Sequence, residues 1–315
     1  MGKIAFVFPG QGSQTVGMGQ AIAEADQRAK HIFEEADQRL DESLSSLIFN
    51  GPIEELTKTT NAQPALLTTS IALLQRLQEA GIQPDYTAGH SLGEYSALVA
   101  SGVMEFSDAV YAVRKRGEFM EEAVPNGKGT MAAIMGFDRE KLQQITGEVT
   151  QAGDSVQMAN INCPGQIVIS GTVAGVEKAG AVAKVQGAKR VIPLQVSGPF
   201  HSELMKPAAE KFAQILAEIN ISDAKVPVVA NVTAHPLTDG SQFAEKLIEQ
   251  LYSPVLWEDS VEAMIANGVD TFVEIGPGKV LSGLIKKINR SVTTISVQDP
   301  DSCQSAIEQL KGEGK

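Results

Sequence analysis

The sequence predicts an α/β fold, in which a parallel sheet carries helices on its faces and a smaller unit is inserted into the chain. The run Ile4–Phe8 is continuously apolar, as in a strand that is buried on both faces of a parallel sheet. Helical segments alternate with such runs in the first and last thirds of the chain, whereas short strands crowd residues 128–197. With 315 residues and 43% hydrophobic residues, the chain can build one large domain with an insert.

The first predicted strand, Lys3 to Phe8, ends in the glycine-rich segment Pro9–Gln14. Ligands of α/β sheets bind at the carboxyl ends of strands, so this loop is a candidate site. It is not a dinucleotide fingerprint, because Thr15 stands where the third glycine should be. Gln11 is therefore either a turn residue or a polar group at the rim of a site.

Two helical segments follow at 20–40 and 64–80. The second has Pro64 in its first turn and Gly81 after its end, which are the usual boundary residues of a helix. Gln63 directly precedes it, and either faces the site or caps the helix.

The segment Gly89–Gly93 fits the Gly-x-Ser-x-Gly pattern of a nucleophile elbow, a sharp turn that exposes Ser91 between a strand and a helix. Residues 86–88 form a short candidate strand before it. Residues 92–100 are good helix formers, and Gly102 can end that helix in a left-handed conformation. The context therefore favours a reactive serine over a chance match.

The next helix is predicted from Ser107 and Asp108 to Val124. Arg116 lies in the middle of its apolar stripe, whereas Arg114 and Lys115 point toward solvent. A buried guanidinium needs an anion. That anion is either a buried carboxylate of the protein or a carboxylate supplied by the substrate.

Residues 128–197 are predicted to form an inserted subdomain. Its short strands and helices alternate as strand, helix, strand, strand, helix, strand, which is the order of a ferredoxin-like unit; the segments are 130–136, 138–146, 156–161, 167–170, 173–186 and 190–194. Asn160 and Asn162 end the second strand, where they either form a turn or line a cleft.

The last third returns to the α/β pattern and contains the strongest candidate for a base. His201 lies in the tight loop Ser197–Ser202, before a helix that is predicted at 203–219, and the loop restricts its rotamers. His90 is better placed to line a pocket, and His31 lies far from any motif. His235 is not excluded by its spacing. The remaining elements are strands at 226–230, 271–275 and 293–297 and helices at 243–252 and 279–288.

The formal net charge of −12 disfavours nucleic acid and anionic membrane surfaces as partners. Cys163 and Cys303 form no disulfide framework and no metal-ligand spacing. Without a signal-peptide pattern or a membrane-spanning apolar run, a cytoplasmic protein is expected. The densest basic cluster is Lys279, Lys286, Lys287 and Arg290, which is either a solvated helix face or a docking site for an acidic partner.

Several motifs together resemble the malonyl-CoA:acyl carrier protein transacylase family over nearly the whole chain. They are Pro9–Gln14, Gly89–Ser96, Arg116, Gly198–Ser202 and Glu274–Gly278. The loop at Asn231–Thr233 departs from that pattern through His235, whose role the resemblance leaves open.

The resemblance implies a role for each site residue. Ser91 would be the nucleophile and His201 the base, with the main-chain carbonyl of Gln250 orienting His201. The other implied roles are backbone N–H donors to the oxyanion from Gln11 and Leu92, a malonyl-carboxylate partner in Arg116, and substrate contacts from His90, Gln63 and Asn160. No metal or other cofactor is implied, because malonyl-CoA is a substrate.

The implied fold is an α/β-hydrolase-like core, residues 1–127 and 198–315, with a ferredoxin-like subdomain at 128–197. The implied function is transfer of a malonyl group from malonyl-CoA to the phosphopantetheine thiol of acyl carrier protein for fatty acid synthesis. The alternatives are a serine thioesterase or esterase, an acyltransferase of a polyketide pathway, and a non-catalytic acyl-CoA or carrier-protein binding module. We expect a monomer, although no motif specifies the oligomeric state.

Overall fold

The computed structural model describes residues 2–125 and 127–312. Its strands are β1 (Lys3–Phe8), β2 (Tyr86–Gly89), β3 (Gly129–Met135), β4 (Val156–Cys163), β5 (Gln166–Thr172), β6 (Arg190–Pro193), β7 (Val228–Val229), β8 (Pro236–Leu237), β9 (Val269–Ile275) and β10 (Thr293–Val297). Its helices are α1 (Gln20–Ala25), α2 (Gln27–Leu40), α3 (Leu44–Asn50), α4 (Ile53–Thr57), α5 (Thr59–Glu79), α6 (Gly93–Ala100), α7 (Phe106–Glu122), α8 (Arg139–Gln151), α9 (Val173–Val185), α10 (Lys206–Leu216), α11 (Gly240–Gln250), α12 (Trp257–Ala266), α13 (Val280–Ile288) and α14 (Pro300–Lys311). A 3₁₀ turn, Glu203–Met205, precedes α10.

The larger sheet has the strand order β10-β9-β1-β2-β7-β8 and is parallel except for β8. In the central strand β1, Phe6 and Phe8 pack into the core on one face, while Ala5 and Val7 pack on the other. This two-sided burial explains the continuous apolar run. Phe8 pairs with Gly89, so the loops after β1 and β2 leave the same edge of the sheet side by side.

The smaller sheet has the order β4-β5-β3-β6 and is antiparallel. Ala132 and Ile134 of β3 face the core that α8 and α9 cover, whereas Met131 and Ala133 face the main core. Backbone hydrogen bonds between β4 and Val255 join the two units. The face of the small sheet that carries Met131 and Ala133 therefore packs against the larger unit.

Two details differ from the sequence predictions. Helix α5 begins at Thr59, so Pro64 lies inside the helix instead of in its first turn, and Gln63 is a buried residue of the helix instead of the residue before it. Arg114 is buried instead of exposed, because its guanidinium donates to Asn61 Oδ1 at 2.9 Å and to Glu42 Oε2 at 2.8 Å. Periodicity along α7 could not reveal these partners, since they lie on other elements.

Four helices in the described part of the chain have no counterpart among the sequence predictions, and one predicted helix ends earlier. Helices α3, α4, α12 and α14 were not predicted, and α10 ends at Leu216 instead of near Ile219. Among the described helices, none is both long and apolar enough to cross a membrane.

Candidate active site

The elbow predicted at Gly89–Gly93 is present between β2 and α6. Ser91 has a φ of 51°, a left-handed conformation that costs a non-glycine residue roughly 1 to 3 kcal/mol. A Cβ at Gly89 would lie 1.9 Å from the carbonyl carbon of Gly93, and one at Gly93 would lie 2.1 Å from the carbonyl oxygen of Phe8. Only glycine fits at either position. The missing side chains let α6 pack closely against β1 and β2, and this packing holds the strained turn.

Asn231 holds the elbow from a distant part of the chain. The Ser91 N–H donates to Asn231 Oδ1 at 2.7 Å, and Asn231 Nδ2 donates to the carbonyl oxygen of Gly89 at 2.7 Å. The N–H of Ser91 is therefore already paired and does not face the cavity. The sequence showed Asn231 only as part of a loop after β7, and nothing in its pattern indicated this role.

Ser91 and His201 are in hydrogen-bond contact, with Oγ and Nε2 separated by 2.8 Å. His201 Nδ1 lies 2.7 Å from the carbonyl oxygen of Gln250, which can only accept, so Nδ1 carries the proton. Nε2 is then free to accept the proton of Ser91. Burial, reinforced by the charge of Arg116, lowers the pKa of His201 to about 3, so the ring stays neutral at physiological pH.

Arg116 reaches the same serine from α7 and is 1% exposed. Its Nη2 donates to Ser91 Oγ at 3.1 Å and to Gln250 Oε1 at 2.8 Å, and its Nη1 donates to Gln63 Oε1 at 2.7 Å. All three acceptors are neutral, and no carboxylate of the described chain forms an ion pair with Arg116. The charge of Glu94 reaches Arg116 only indirectly, from behind the Gln250 amide, so within the described residues the guanidinium has no direct ion-pair partner.

A cavity of about 400 Å³ opens onto these groups. Gln11, His90, Leu92, Asn160 and Phe200 are among its lining residues, together with Ser91, Arg116 and His201. Gln63 is buried behind Arg116, and its Nε2 contacts Met120 Sδ at 3.5 Å. The structure therefore brings His90, Asn160 and Arg116 to one cavity, whereas Gln63, predicted as a substrate contact, is bonded to Arg116 and does not line the cavity.

His90 and Asn162 connect the two units beside the cavity. His90 Nε2 lies 2.8 Å from Asn162 Oδ1, and the His90 ring lies 5.8 Å from that of Trp257. Burial lowers the pKa of His90, so this ring is also neutral. His90 is thus oriented by the small sheet and does not compete with His201 for the serine.

Two backbone N–H groups at the cavity are available to a ligand. Gln11 follows β1 and Leu92 follows Ser91, and both line the cavity. Among the described residues, no acceptor is hydrogen-bonded to either N–H. The Gln11 side chain turns to the wall, where Nε2 donates to Thr59 Oγ1 at 3.0 Å. This leaves two unpaired backbone donors on residues that line the cavity together with Ser91, as an oxyanion site requires.

The remaining candidates lie away from the cavity. His235 is exposed in the loop before β8. Lys279 caps the start of α13, while Lys286 and Lys287 lie in its last turn, so the basic residues are spread along the helix. Lys287 Nζ donates to Gln166 Oε1 at 3.1 Å. The docking role of this cluster, which includes Arg290, stays a prediction. The described residues contain no group of His, Cys, Asp and Glu arranged for a metal ion.

A serine paired with a neutral histidine, beside free N–H donors and a buried arginine, defines a serine acyl-transfer site on an α/β fold. Comparisons with known proteins agree: the family described as acyl transferase domain matches residues 5–306. A malonyl CoA-acyl carrier protein transacylase of Bacillus subtilis is 64% identical over 313 residues, 99% of either chain.

Solved structures agree over the same length. An acyl-carrier-protein-S-malonyltransferase from Bartonella henselae superposes with a TM-score of 0.95 at 42% identity, covering 98% of this chain and 99% of that one. A malonyl-transacylase in complex with a type II PKS acyl-carrier protein gives 0.94 at 45% identity, covering 98% and 99%. The chain belongs to the malonyl CoA-acyl carrier protein transacylases of the acyl transferase family.

Proposed function

We propose that this protein transfers the malonyl group of malonyl-CoA to the phosphopantetheine thiol of acyl carrier protein, and so supplies malonyl-carrier protein for fatty acid synthesis. The observation that carries the proposal is Arg116, a buried cation that forms no ion pair with any carboxylate of residues 2–125 and 127–312 and lies 3.1 Å from the hydroxyl of Ser91. A malonyl thioester offers that carboxylate close to the carbonyl that Ser91 would attack. The names of the relatives support the same substrate pair.

In the first half-reaction, Ser91 Oγ forms a bond to the thioester carbon while its proton passes to His201 Nε2. The negative oxygen of the tetrahedral intermediate accepts hydrogen bonds from the N–H groups of Gln11 and Leu92. The C–S bond then breaks, and the CoA sulfur leaves with the proton from His201. A malonyl ester remains on Ser91.

In the second half-reaction, the thiol of the carrier's phosphopantetheine attacks the ester carbon and gives its proton to His201. The C–Oγ bond breaks, and Ser91 recovers that proton. Because CoA leaves before the carrier thiol reacts, the kinetics are ping-pong. Side chains and backbone groups carry every step of this scheme, so it calls for no cofactor.

We also propose that the fold is an α/β-hydrolase-like core, residues 1–127 and 198–315, with a ferredoxin-like subdomain at 128–197. The order β6-β3-β5-β4 of the smaller antiparallel sheet, crossed by α8 and α9, supports the second part. Residues 1, 126 and 313–315 of these ranges lie outside the described residues. A cytoplasmic location fits the two unpaired cysteines.

Labelled malonyl-CoA tests the proposal. Without carrier protein, the wild-type protein should retain one malonyl group that survives denaturation, and added holo acyl carrier protein should remove it as malonyl-carrier. Rapid release of free malonate without carrier would indicate a thioesterase instead. Unchanged malonyl-CoA would contradict an enzymatic role altogether.

The basic cluster on α13 is proposed to dock the acidic carrier protein. Replacing Lys279 and Lys287 by Glu should raise the KM for carrier protein at low salt and leave that for malonyl-CoA nearly unchanged. An unaltered KM for the carrier would assign these residues to a solvated helix face.

A further inference from the structure

A buried carboxylate lies beneath the site and has no part in the steps above. Glu94 is in the first turn of α6, three residues after Ser91, and is 1% exposed. Its Oε2 accepts from Gln250 Nε2 at 2.7 Å and from the N–H of Asn231 at 3.1 Å. Glu94 thus contacts the two residues that hold His201 and the elbow in place.

Glu94 makes the shortest of the contacts that decide which way the Gln250 amide points. Gln250 Nε2 also donates to the carbonyl oxygen of Ser91 at 3.1 Å and to Asn231 Oδ1 at 3.3 Å. An amide has one oxygen and one NH₂ group, and a carboxylate can only accept, so the nitrogen must face Glu94. The oxygen then faces Arg116, whose Nη2 donates to it at 2.8 Å. The reverse orientation would place the NH₂ group against the guanidinium and leave two donors facing each other.

We propose that Glu94 is a positioning residue for malonyl recognition: through the Gln250 amide it fixes the Arg116 guanidinium beside Ser91 and balances its charge. This inference rests on the proposed function, in which Arg116 binds the malonyl carboxylate. A neutral acyl group makes no use of that guanidinium. The selectivity for malonyl over acetyl is therefore the property that Glu94 controls.

Electrostatics agree with this geometry. Burial lowers the pKa of Arg116 and the charge of Glu94 opposes that shift, while Arg116 in turn acts to lower the pKa of Glu94. Burial outweighs the partners of Glu94 and raises its pKa to about 7. The other titratable groups of the cluster are Arg116 from α7, Tyr95 from α6 and His201 from the loop before α10. Burial raises the pKa of Tyr95 and lowers that of His201, so near pH 7 only Glu94 changes charge.

The test compares Glu94→Gln and Glu94→Ala with the wild type, using malonyl-CoA and acetyl-CoA as donors and holo acyl carrier protein as acceptor. Glu94→Ala removes a charged hydrogen bond, so the KM for malonyl-CoA should rise about 10- to 100-fold while acetyl transfer changes less than about 3-fold. Glu94→Gln can keep both hydrogen bonds through its amide oxygen and should show a smaller rise.

The pH profile gives a readout that a merely structural role would not change. For the wild type, kcat/KM for malonyl-CoA should fall as pH drops through about 7, because a protonated Glu94 can donate as well as accept and no longer requires the Gln250 nitrogen, which weakens the hold of the amide oxygen on Arg116. Acetyl-CoA should show no such fall, and Glu94→Gln should abolish it for malonyl-CoA. Glu274→Gln is the matched control, since Glu274 is equally buried but binds the N–H groups of Leu281 and Ser282.

Equal losses for both donors, or a malonyl pH profile of Glu94→Gln that matches the wild type, would overturn the inference. If Glu94→Ala does not fold, Glu94→Gln decides by itself. Failure of the proposed function is distinct, because the wild-type protein would then form no malonyl ester before any variant is compared.

Discussion

The elbow around Ser91 and the loop around His201 place the two reacting side chains in similarly strained backbone, yet they are built differently. Ser91 has a φ of 51° and His201 a φ of 57°. The elbow is held by close backbone packing at two glycines within two residues of the serine. The histidine loop is held by hydrogen bonds: the His201 N–H donates to Leu251 O, and Gln157 Nε2 donates to His201 O at 3.3 Å.

The two constructions should fail in different ways. A side chain added at either elbow glycine has no space to occupy, so the free energy of unfolding should decrease. When a distant side chain that is hydrogen-bonded to the histidine loop is removed, His201 should be held less precisely beside Ser91, but the protein should stay folded. Stability and turnover are thus separate measures of the two regions.

The largest effect is expected from the elbow's own hydroxyl. Ser91→Ala should abolish the malonyl adduct, because no other hydroxyl is bonded to His201 Nε2 in the described site. Mass spectrometry of the intact protein after incubation with malonyl-CoA measures this. Ser197→Ala, which removes another hydroxyl from the same cavity, should still gain the malonyl mass. A malonyl mass on the Ser91 variant would assign the nucleophile to another residue.

Arg116 donates to Ser91 of the elbow and to the side chain of Gln250, whose carbonyl oxygen accepts from His201. The loss of Arg116 should separate acyl-group binding from the chemical step. Arg116→Ala should lower kcat/KM for malonyl-CoA by roughly 30-fold to several thousand-fold, since truncating a buried charged partner costs about 2 to 5 kcal/mol. Acetyl-CoA transfer should be unchanged or faster, and Arg116→Lys should recover only part, because an ammonium lacks the planar fork.

Arg114→Ala is the control for Arg116, because it removes a buried arginine that is bonded to Glu42 and Asn61 instead of the cavity. It should lower the melting temperature and affect both donors equally. If Arg116→Ala lowered kcat/KM equally for malonyl-CoA and acetyl-CoA, Arg116 would support the structure of the site without recognising the acyl group.

Packing at the elbow is tested by Gly93→Ala. The new Cβ would lie 2.1 Å from the carbonyl oxygen of Phe8, so β1 and α6 must move apart at a cost of at least about 1 to 3 kcal/mol. Chemical denaturation measures this. Gly147→Ala in α8 meets no atom within 4 Å and should instead stabilise the protein by up to about 1 kcal/mol. A Gly93 variant as stable as the wild type would contradict the packing argument.

The smallest effect is expected at the histidine loop. Gln157 Nε2 also donates to Tyr252 O at 3.1 Å, and its Oε1 accepts from the N–H of Glu203 at 2.9 Å. Gln157→Ala should lower kcat about 3- to 10-fold, because neutral hydrogen bonds are individually worth about 1 kcal/mol. Gln144→Ala, at an exposed glutamine of the same unit, should leave kcat unchanged. An unaltered kcat in Gln157→Ala would mean that the larger unit alone positions His201.

The sequence predictions were accurate where the signal lies in a few consecutive residues, and less accurate where the structure depends on contacts between distant residues. Strand β1, the elbow and the cap at Gly81 depend on a few consecutive residues, and the structure has them where they were predicted. The start of α5 was wrong because a proline inside a helix is rarer than one in its first turn. The exposure of Arg114 was wrong because its partners, Glu42 and Asn61, lie on other elements.

The sequence by itself determined the α/β alternation, the strained serine turn and the residue types needed for acyl transfer. These depend on apolar periodicity and on the steric freedom of glycine, which are properties of short segments. Only the tertiary structure decided that Arg116 forms no direct ion pair within the described part of the chain and that Glu94, Asn231 and Gln157 brace the site. Those bracing contacts join residues 44 to 156 positions apart, and a hydrogen bond between distant segments leaves no pattern along the chain.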